Sequence, residues 1–228
     1  MIFLSLDRVK AIAPGYDIVP VYMEILSDVR TPISVLKALK QVSSHTYLLE
    51  SADNSNHWGR YSFLGYDPKI ELFCKNHKMT IKDGTTRTFE CSDPAAEIRN
   101  ILSQYKSPRL EELPTFTGGF VGYFACEYIR YIEPTLDFPT PDDDSAMVND
   151  VDLMLFDKVI AFDHYKNKIY LIANISTNDL ERNYNKAELE LKTLADLVVN
   201  GKEADVPKGV LKTEFTSEFT KDEFEAVV

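Results

Sequence analysis

Ile70, Leu72 and Cys74 alternate with charged or large neighbours, and Met79 and Ile81 repeat the alternation a few residues later. A period of two places one set of side chains on one sheet face, so this spacing predicts an antiparallel strand pair. Asp83-Gly84 adds a type I′ hairpin signal leading into a further strand over residues 85–89. Residues 21–26 read as a short β-prone run. Residues 151–162 and 168–175 read as two more, joined by the turn-prone segment from His164 to Asn167.

Elsewhere the apolar spacing lengthens to three and four, the period of a helix. Thr31 followed by Pro32 predicts a helix start, with the hydroxyl as cap and Pro at the first helical position. Leu36, Leu39 and Val42 form its apolar face until Ser43-Ser44. Asp93-Pro94 opens a second helix with Ile98, Ile101, Leu102 and Tyr105 as the buried stripe, ended by Ser107-Pro108. The longest helix is capped by Asn178, with Glu181 completing a capping box. It carries Leu180, Tyr184, Ala187, Leu191, Leu194 and Val198 on one stripe and Gly201 as its C′ residue. The fold class is therefore α+β, a layered antiparallel β-sheet with packed helices.

After Gly201 the chain turns polar, and residues 201–219 read as a linker. Thr220 and Glu223 form a capping box that should start a helix, yet only a few residues remain before Val228. An isolated helix needs on the order of 12 residues or more, so the expectation is that residues 220–228 begin a further domain that continues past Val228.

With 228 residues, 44% of them hydrophobic, the chain can bury a sizeable core. Its net charge of −11 argues against non-specific nucleic-acid binding, which needs a basic surface to displace counterions. No segment approaches about 18 uninterrupted apolar residues and the first residues lack a signal-peptide pattern, so no membrane association is expected and a cytoplasmic location is the default. Cys74, Cys91 and Cys126 are widely spaced with no Cys-x-x-Cys pair, which suggests buried free thiols and neither disulfides nor zinc.

Candidate chemistry is sparse. Gly118-Gly119-Phe-Val-Gly122 lacks P-loop spacing and reads as a strand whose glycines admit a close neighbour. Asp142-Asp143-Asp144 lacks Ca²⁺-loop spacing and reads as a solvated loop, Trp58 reads as a packing anchor, and His45, His57, His77 and His164 show no ligand or nucleophile spacing. No catalytic residue and no metal ligand is assigned. The exception is Leu48-Leu49-Glu50-Ser51, where an apolar run ends in a carboxylate and a hydroxyl. At the lip of a strand these could receive the ammonium and the carboxylate of a small ligand, although a plain strand end meeting solvent is the commoner local outcome.

The Leu-Leu-Glu-Ser element, together with Trp58-Gly-Arg-Tyr-Ser-Phe-Leu-Gly65, resembles the N-terminal region of the anthranilate synthase component I family. Thr31-Pro32-Ile33-Ser34 and Gly118-Gly119-Phe120-Val121-Gly122-Tyr123-Phe124 extend the resemblance, whereas Cys126-Glu127 departs from the family's usual Tyr-Asp. The resemblance implies that residues 1–200 are a tryptophan-feedback domain and residues 220–228 the start of a chorismate-binding catalytic domain. It implies an enzyme that makes anthranilate and pyruvate from chorismate and ammonia. The ammonia comes from glutamine through a glutamine amidotransferase subunit (component II), and Mg²⁺ is bound outside this chain. L-tryptophan is the implied allosteric inhibitor, with Leu49, Glu50 and Ser51 as its contacts, and the 228-residue chain alone is expected to be inactive. Component I of aminodeoxychorismate synthase is the alternative within the same architecture. A non-catalytic amino-acid-binding or subunit-interaction module is the alternative of another class.

Overall fold

Residues 151–162 read as one β run, yet they form two strands that belong to different sheets. The structure, a computed structural model, describes residues 4–28, 30–51, 59–133, 135, 148–205, 209–214 and 216–227. Strands β1 (Ile18–Leu26), β2 (Thr46–Glu50), β3 (Tyr61–Tyr66), β9 (Lys158–Asp163) and β10 (Lys168–Ser176) make one five-stranded sheet in the order β1-β10-β9-β3-β2. Strands β4 (Ile70–Lys75), β5 (Lys78–Lys82), β6 (Thr86–Glu90), β7 (Gly119–Phe124) and β8 (Val151–Phe156) make the other, in the order β6-β5-β4-β8-β7. All the ladders are antiparallel. The class is α+β.

Asp157 is the residue between β8 and β9. Its carbonyl accepts from the Asn174 backbone N–H at 2.8 Å and from Asn174 Nδ2 at 3.1 Å, and Nδ2 also donates to the Thr117 carbonyl at 2.7 Å. These bonds satisfy the backbone where the chain leaves one ladder and enters the other, which a buried strand crossing requires. Burial raises the Asp157 carboxyl above its ordinary value, against the opposing charges of Lys158 and Lys69.

The first sheet is covered by helices α1 (Leu6–Ile12), α2 (Pro32–Leu39) and α5 (Leu180–Asn200), and the short helix α4 (Ile129–Ile132) follows β7. Ala187, Leu191, Leu194 and Val198 of α5 are buried in one cluster with Val19, Leu64, Ile160 and Leu171. Each buried Leu or Val contributes roughly 1.5–3 kcal/mol, which explains why a helix with this polar outer face stays docked. In the second sheet, β4 alternates buried and half-buried positions as its period predicts. Leu72, Cys74, Met79 and Ile81 pack with Ile98 and Ile101 of helix α3 (Pro94–Leu102).

Several local expectations hold in detail. Thr31 accepts from the Ser34 N–H at 3.2 Å and Asp93 from the Ala96 N–H at 2.9 Å. The Thr220–Glu223 capping box is formed on both sides, ahead of helix α6 (Lys221–Val227). Gly122 sits at φ 157°, and a Cβ there would lie 1.9 Å from the Asp152 carbonyl oxygen, so the glycine-rich strand does admit a close backbone.

Others are corrected. Helix α2 ends at Leu39, its buried residues are Val35, Ala38 and Leu39, and Val42 is exposed because it lies beyond the last turn. Asp179, in left-handed conformation, precedes α5 in place of an Asn178 cap. Asn183 Nδ2 donates to the Ser176 and Asn178 carbonyls there. Lys82 pairs with Thr86, so the β5–β6 hairpin has a three-residue loop in which Gly84 is left-handed and Asp83 is not, and a type I′ turn is ruled out. Gly201 closes α5 with extended backbone, and Cys126 is exposed while Cys74 and Cys91 are buried. Trp58, His57 and Asp142-Asp143-Asp144 lie outside the described residues.

Candidate functional site

Strand β2 carries the Leu-Leu-Glu segment along the edge of the first sheet, and its register against β3 decides what each side chain meets. Leu48 pairs with Leu64, Leu49 with Phe63 and Glu50 with Ser62. Because successive side chains alternate between faces, Leu49 and Glu50 are on opposite sides of the sheet. Leu49 is 47% exposed and shares its face with Phe63, whose ring stands edge-on to Phe116 at 5.5 Å. Ser51 follows the strand, exposed. The three residues therefore sit together at one strand end but present two surfaces.

The Glu50 face is polar and connected. Ser62 Oγ lies 3.2 Å from Glu50 Oε1 and 2.7 Å from His164 Nε2. A carboxylate accepts, so with the single Ser62 hydrogen given to Glu50 the tautomer that completes the row carries its hydrogen on His164 Nε2 and donates it to Ser62. That order differs from a hydrolytic triad, in which the serine hydrogen goes to the imidazole and the acid bonds the other ring nitrogen. Ser62 is 1% exposed, so its hydroxyl is a buried polar group with both partners made. The His164 ring lies nearly parallel to Phe162 at 6.4 Å, and its backbone N–H donates to the Arg60 carbonyl at 2.9 Å.

Beside this row, on the opposite face, Arg60 and Asp163 form a two-point ion pair, and Arg60 also lies over the rings of Tyr61 at 4.8 Å and Tyr165 at 5.6 Å. Burial alone would raise the Asp163 carboxyl. Hydrogen bonds from Arg60 and from the amides of Lys166 and Tyr165 outweigh it and hold the carboxyl below its ordinary value. This pair anchors the start of β3 to the end of β9, and so fixes the strands that carry Ser62 and His164.

None of Ser62, His164, Arg60 and Asp163 is a site residue expected from the sequence, although Arg60 and Ser62 lie within the Trp58–Gly65 motif and His164 reads there as a histidine without ligand spacing. The available signal was polarity out of place. Ser62 interrupts an apolar run on the parity of buried Leu64, and Asp163-His164 closes another. A separate cavity of about 100 Å³ lies at the seam of the two sheets, lined by Lys69, Tyr105, Gly119, Phe156, Asp157 and Asn174 among others, and includes none of Leu49, Glu50 or Ser51. Small-molecule sites typically occupy about 300–1,000 Å³, so it does not serve as the ligand site. No group of three or more His, Cys, Asp or Glu side chains among the described residues could hold a metal ion. No helix among them is long and apolar enough to cross a membrane.

This antiparallel α+β body matches a known class over most of its length. The chorismate binding enzyme family matches residues 45–228, and the chain belongs to that family. Anthranilate synthase component 1 of Acetivibrio thermocellus is 34% identical over 234 residues, covering 98% of this chain and 46% of that protein. Anthranilate synthase component 1 of Acinetobacter calcoaceticus is 39% identical over 189 residues, covering 81% of this chain and 37% of that protein. The crystal structure of anthranilate synthase component I from Streptococcus pneumoniae TIGR4 is 26% identical, with a TM-score of 0.44 over 74% of this chain and 36% of that chain. The chain spans about half the length of the curated relatives it matches.

Proposed function

We propose that this chain forms the N-terminal, regulatory part of an anthranilate synthase component I, the subunit that converts chorismate and ammonia to anthranilate and pyruvate under feedback inhibition by L-tryptophan. The names of the similar proteins support that activity over the aminodeoxychorismate alternative. The observation that carries the regulatory reading is the Glu50 carboxylate at an exposed strand end. One oxygen accepts from Ser62, which leaves acceptor capacity for a ligand ammonium. Ser51, one residue on, would meet the ligand carboxylate, and Leu49 on the reverse face would pack the neighbouring surface.

In this reading residues 1–200 form the feedback domain, 201–219 a linker and 220–228 the start of a catalytic domain, and the enzyme works in the cytoplasm. A glutamine amidotransferase partner delivers ammonia. In this reading magnesium is bound by residues outside this chain. Tryptophan inhibits by favouring a less active state, which is a coupling between separate sites and therefore reciprocal: chorismate weakens tryptophan by the factor that tryptophan weakens chorismate. The test is tryptophan titration of the intact protein beside Glu50→Gln. A large loss of affinity in the variant is expected, and equal affinities would remove Glu50 from the site.

A further inference from the structure

We infer that Ser62 and His164 are positioning residues for the ammonium group of an amino-acid ligand, acting through Glu50; the inference rests on the tryptophan-site reading above. Glu50 is exposed at the end of an edge strand, where a long carboxylate side chain would otherwise sample several rotamers. Among the described residues, the hydrogen bond from Ser62 Oγ restrains it. That bond has a defined direction only because the other Ser62 position is taken by His164 Nε2 at 2.7 Å. A hydroxyl left alone could turn its hydrogen elsewhere. With the imidazole N–H donating to its oxygen, the hydrogen is directed to Glu50.

His164 is itself held at its backbone, at its ring and through its neighbour. Its backbone N–H is bound to the Arg60 carbonyl, its ring lies along Phe162, and the next residue back, Asp163, is gripped by Arg60. The chain of contacts runs from a buried ion pair, through a ring and a buried hydroxyl, to the carboxylate that faces the ligand. A preorganised carboxylate loses little freedom when the ligand binds, so more of the contact energy appears as affinity. The row ends at the Glu50 carboxylate, whose charge complement on a ligand is an ammonium. Its effect should therefore be confined to ligands that carry an ammonium.

The experiment compares two ligands on the intact protein, L-tryptophan and indole-3-propionate, which keeps the indole and the carboxylate and lacks the ammonium. Ser62→Ala and His164→Leu should each weaken tryptophan by about tenfold, as expected for a hydrogen bond to a charged group, and leave indole-3-propionate within about twofold of the parent. Ser62→Thr and His164→Gln, which keep the hydroxyl and the N–H, should return most of the affinity. In a Glu50→Gln background His164→Leu should add nothing further, since the path ends at Glu50. Equal weakening of both ligands would mark a purely structural role and overturn the inference. Unchanged tryptophan affinity in Ser62→Ala and His164→Leu, with Glu50→Gln still weakened, would overturn the inference and leave the site reading intact. Failure of the parent to bind tryptophan, or of Glu50→Gln to weaken it, would overturn both. Should Ser62→Ala not fold, the His164→Leu and His164→Gln pair carries the same comparison.

Discussion

Arg60 holds Asp163 at two points, Nε to Oδ1 at 3.1 Å and Nη2 to Oδ2 at 2.7 Å, across the β3–β9 ladder. Asp163 is fully buried, whereas the Arg60 side chain is 32% exposed. Removing one partner of a buried pair costs about 3–5 kcal/mol, and the partial exposure of Arg60 lowers the expectation to roughly 2–3 kcal/mol for Arg60→Leu. Urea unfolding of the variant beside the parent measures it. A change under about 0.5 kcal/mol, the usual scatter for surface substitutions, would mean that the pair does not anchor the sheet.

The same carboxylate sets a pH dependence. Its folded value is depressed, so between the two values the unfolded chain binds the proton more readily than the folded one. The stabilisation is complete above the ordinary Asp value of about 3.9 and is lost as pH falls through the lower folded value. The stability gap between the parent and Asp163→Asn should therefore be constant from neutral pH down to about 5 and narrow below about 4. Unfolding curves at a series of pH values give the gap, and a gap that widens toward acid would reverse the assigned direction.

The hydroxyl of Tyr47 is buried without a hydrogen-bond partner among the described residues, and burial pushes its ionisation well above the ordinary tyrosine value. The ring is still well placed, edge-on to Phe156 at 4.7 Å. Tyr47→Phe keeps that packing and removes the unsatisfied oxygen, so it should be neutral or stabilising by up to about 1 kcal/mol. A loss of more than about 1 kcal/mol in urea unfolding would show that the hydroxyl has a partner.

Gly65 faces the same ring across the β2–β3 pair, and a Cβ there would lie 2.1 Å from Tyr47 Cε1. The ring is confined by Phe156, so Gly65→Ala should cost about 1–3 kcal/mol through overpacking. Gly15, where a Cβ meets nothing within 4 Å but φ is +86°, is the comparison: Gly15→Ala should lose stability through backbone strain alone. Combining each substitution with Tyr47→Leu separates the two causes, since only the Gly65 cost should fall.

Ser51→Phe in the intact enzyme tests the feedback site from the ligand side. The added ring fills ligand space and the lost hydroxyl removes a hydrogen bond, so the tryptophan concentration for half inhibition should rise by about tenfold or more. On the proposed reading, which separates the regulatory from the catalytic site, turnover without tryptophan should stay close to the parent. Superimposable inhibition curves would take Ser51 out of the site.

Local pattern carried much of this protein. The alternation of Ile70, Leu72 and Cys74, the caps at Thr31 and Asp93, and the stripe from Ala187 to Val198 are all legible in sequence because they depend on residues a few positions apart. Glu50 stands out for the same reason, but locally only as the polar residue that ends strand β2. What the tertiary structure alone decided is which strands pair and which side chains meet. The polar pair Asp157-Lys158 is a local break in the run over residues 151–162, but that its two halves join different sheets is set by their distant partners, β4 and β7 for one and β3 and β10 for the other. Ser62 and His164 are 102 residues apart, and β3–β9 pairing is what brings them onto the face of Glu50. A contact of that span is fixed by the registers of two ladders, which no short window of sequence contains.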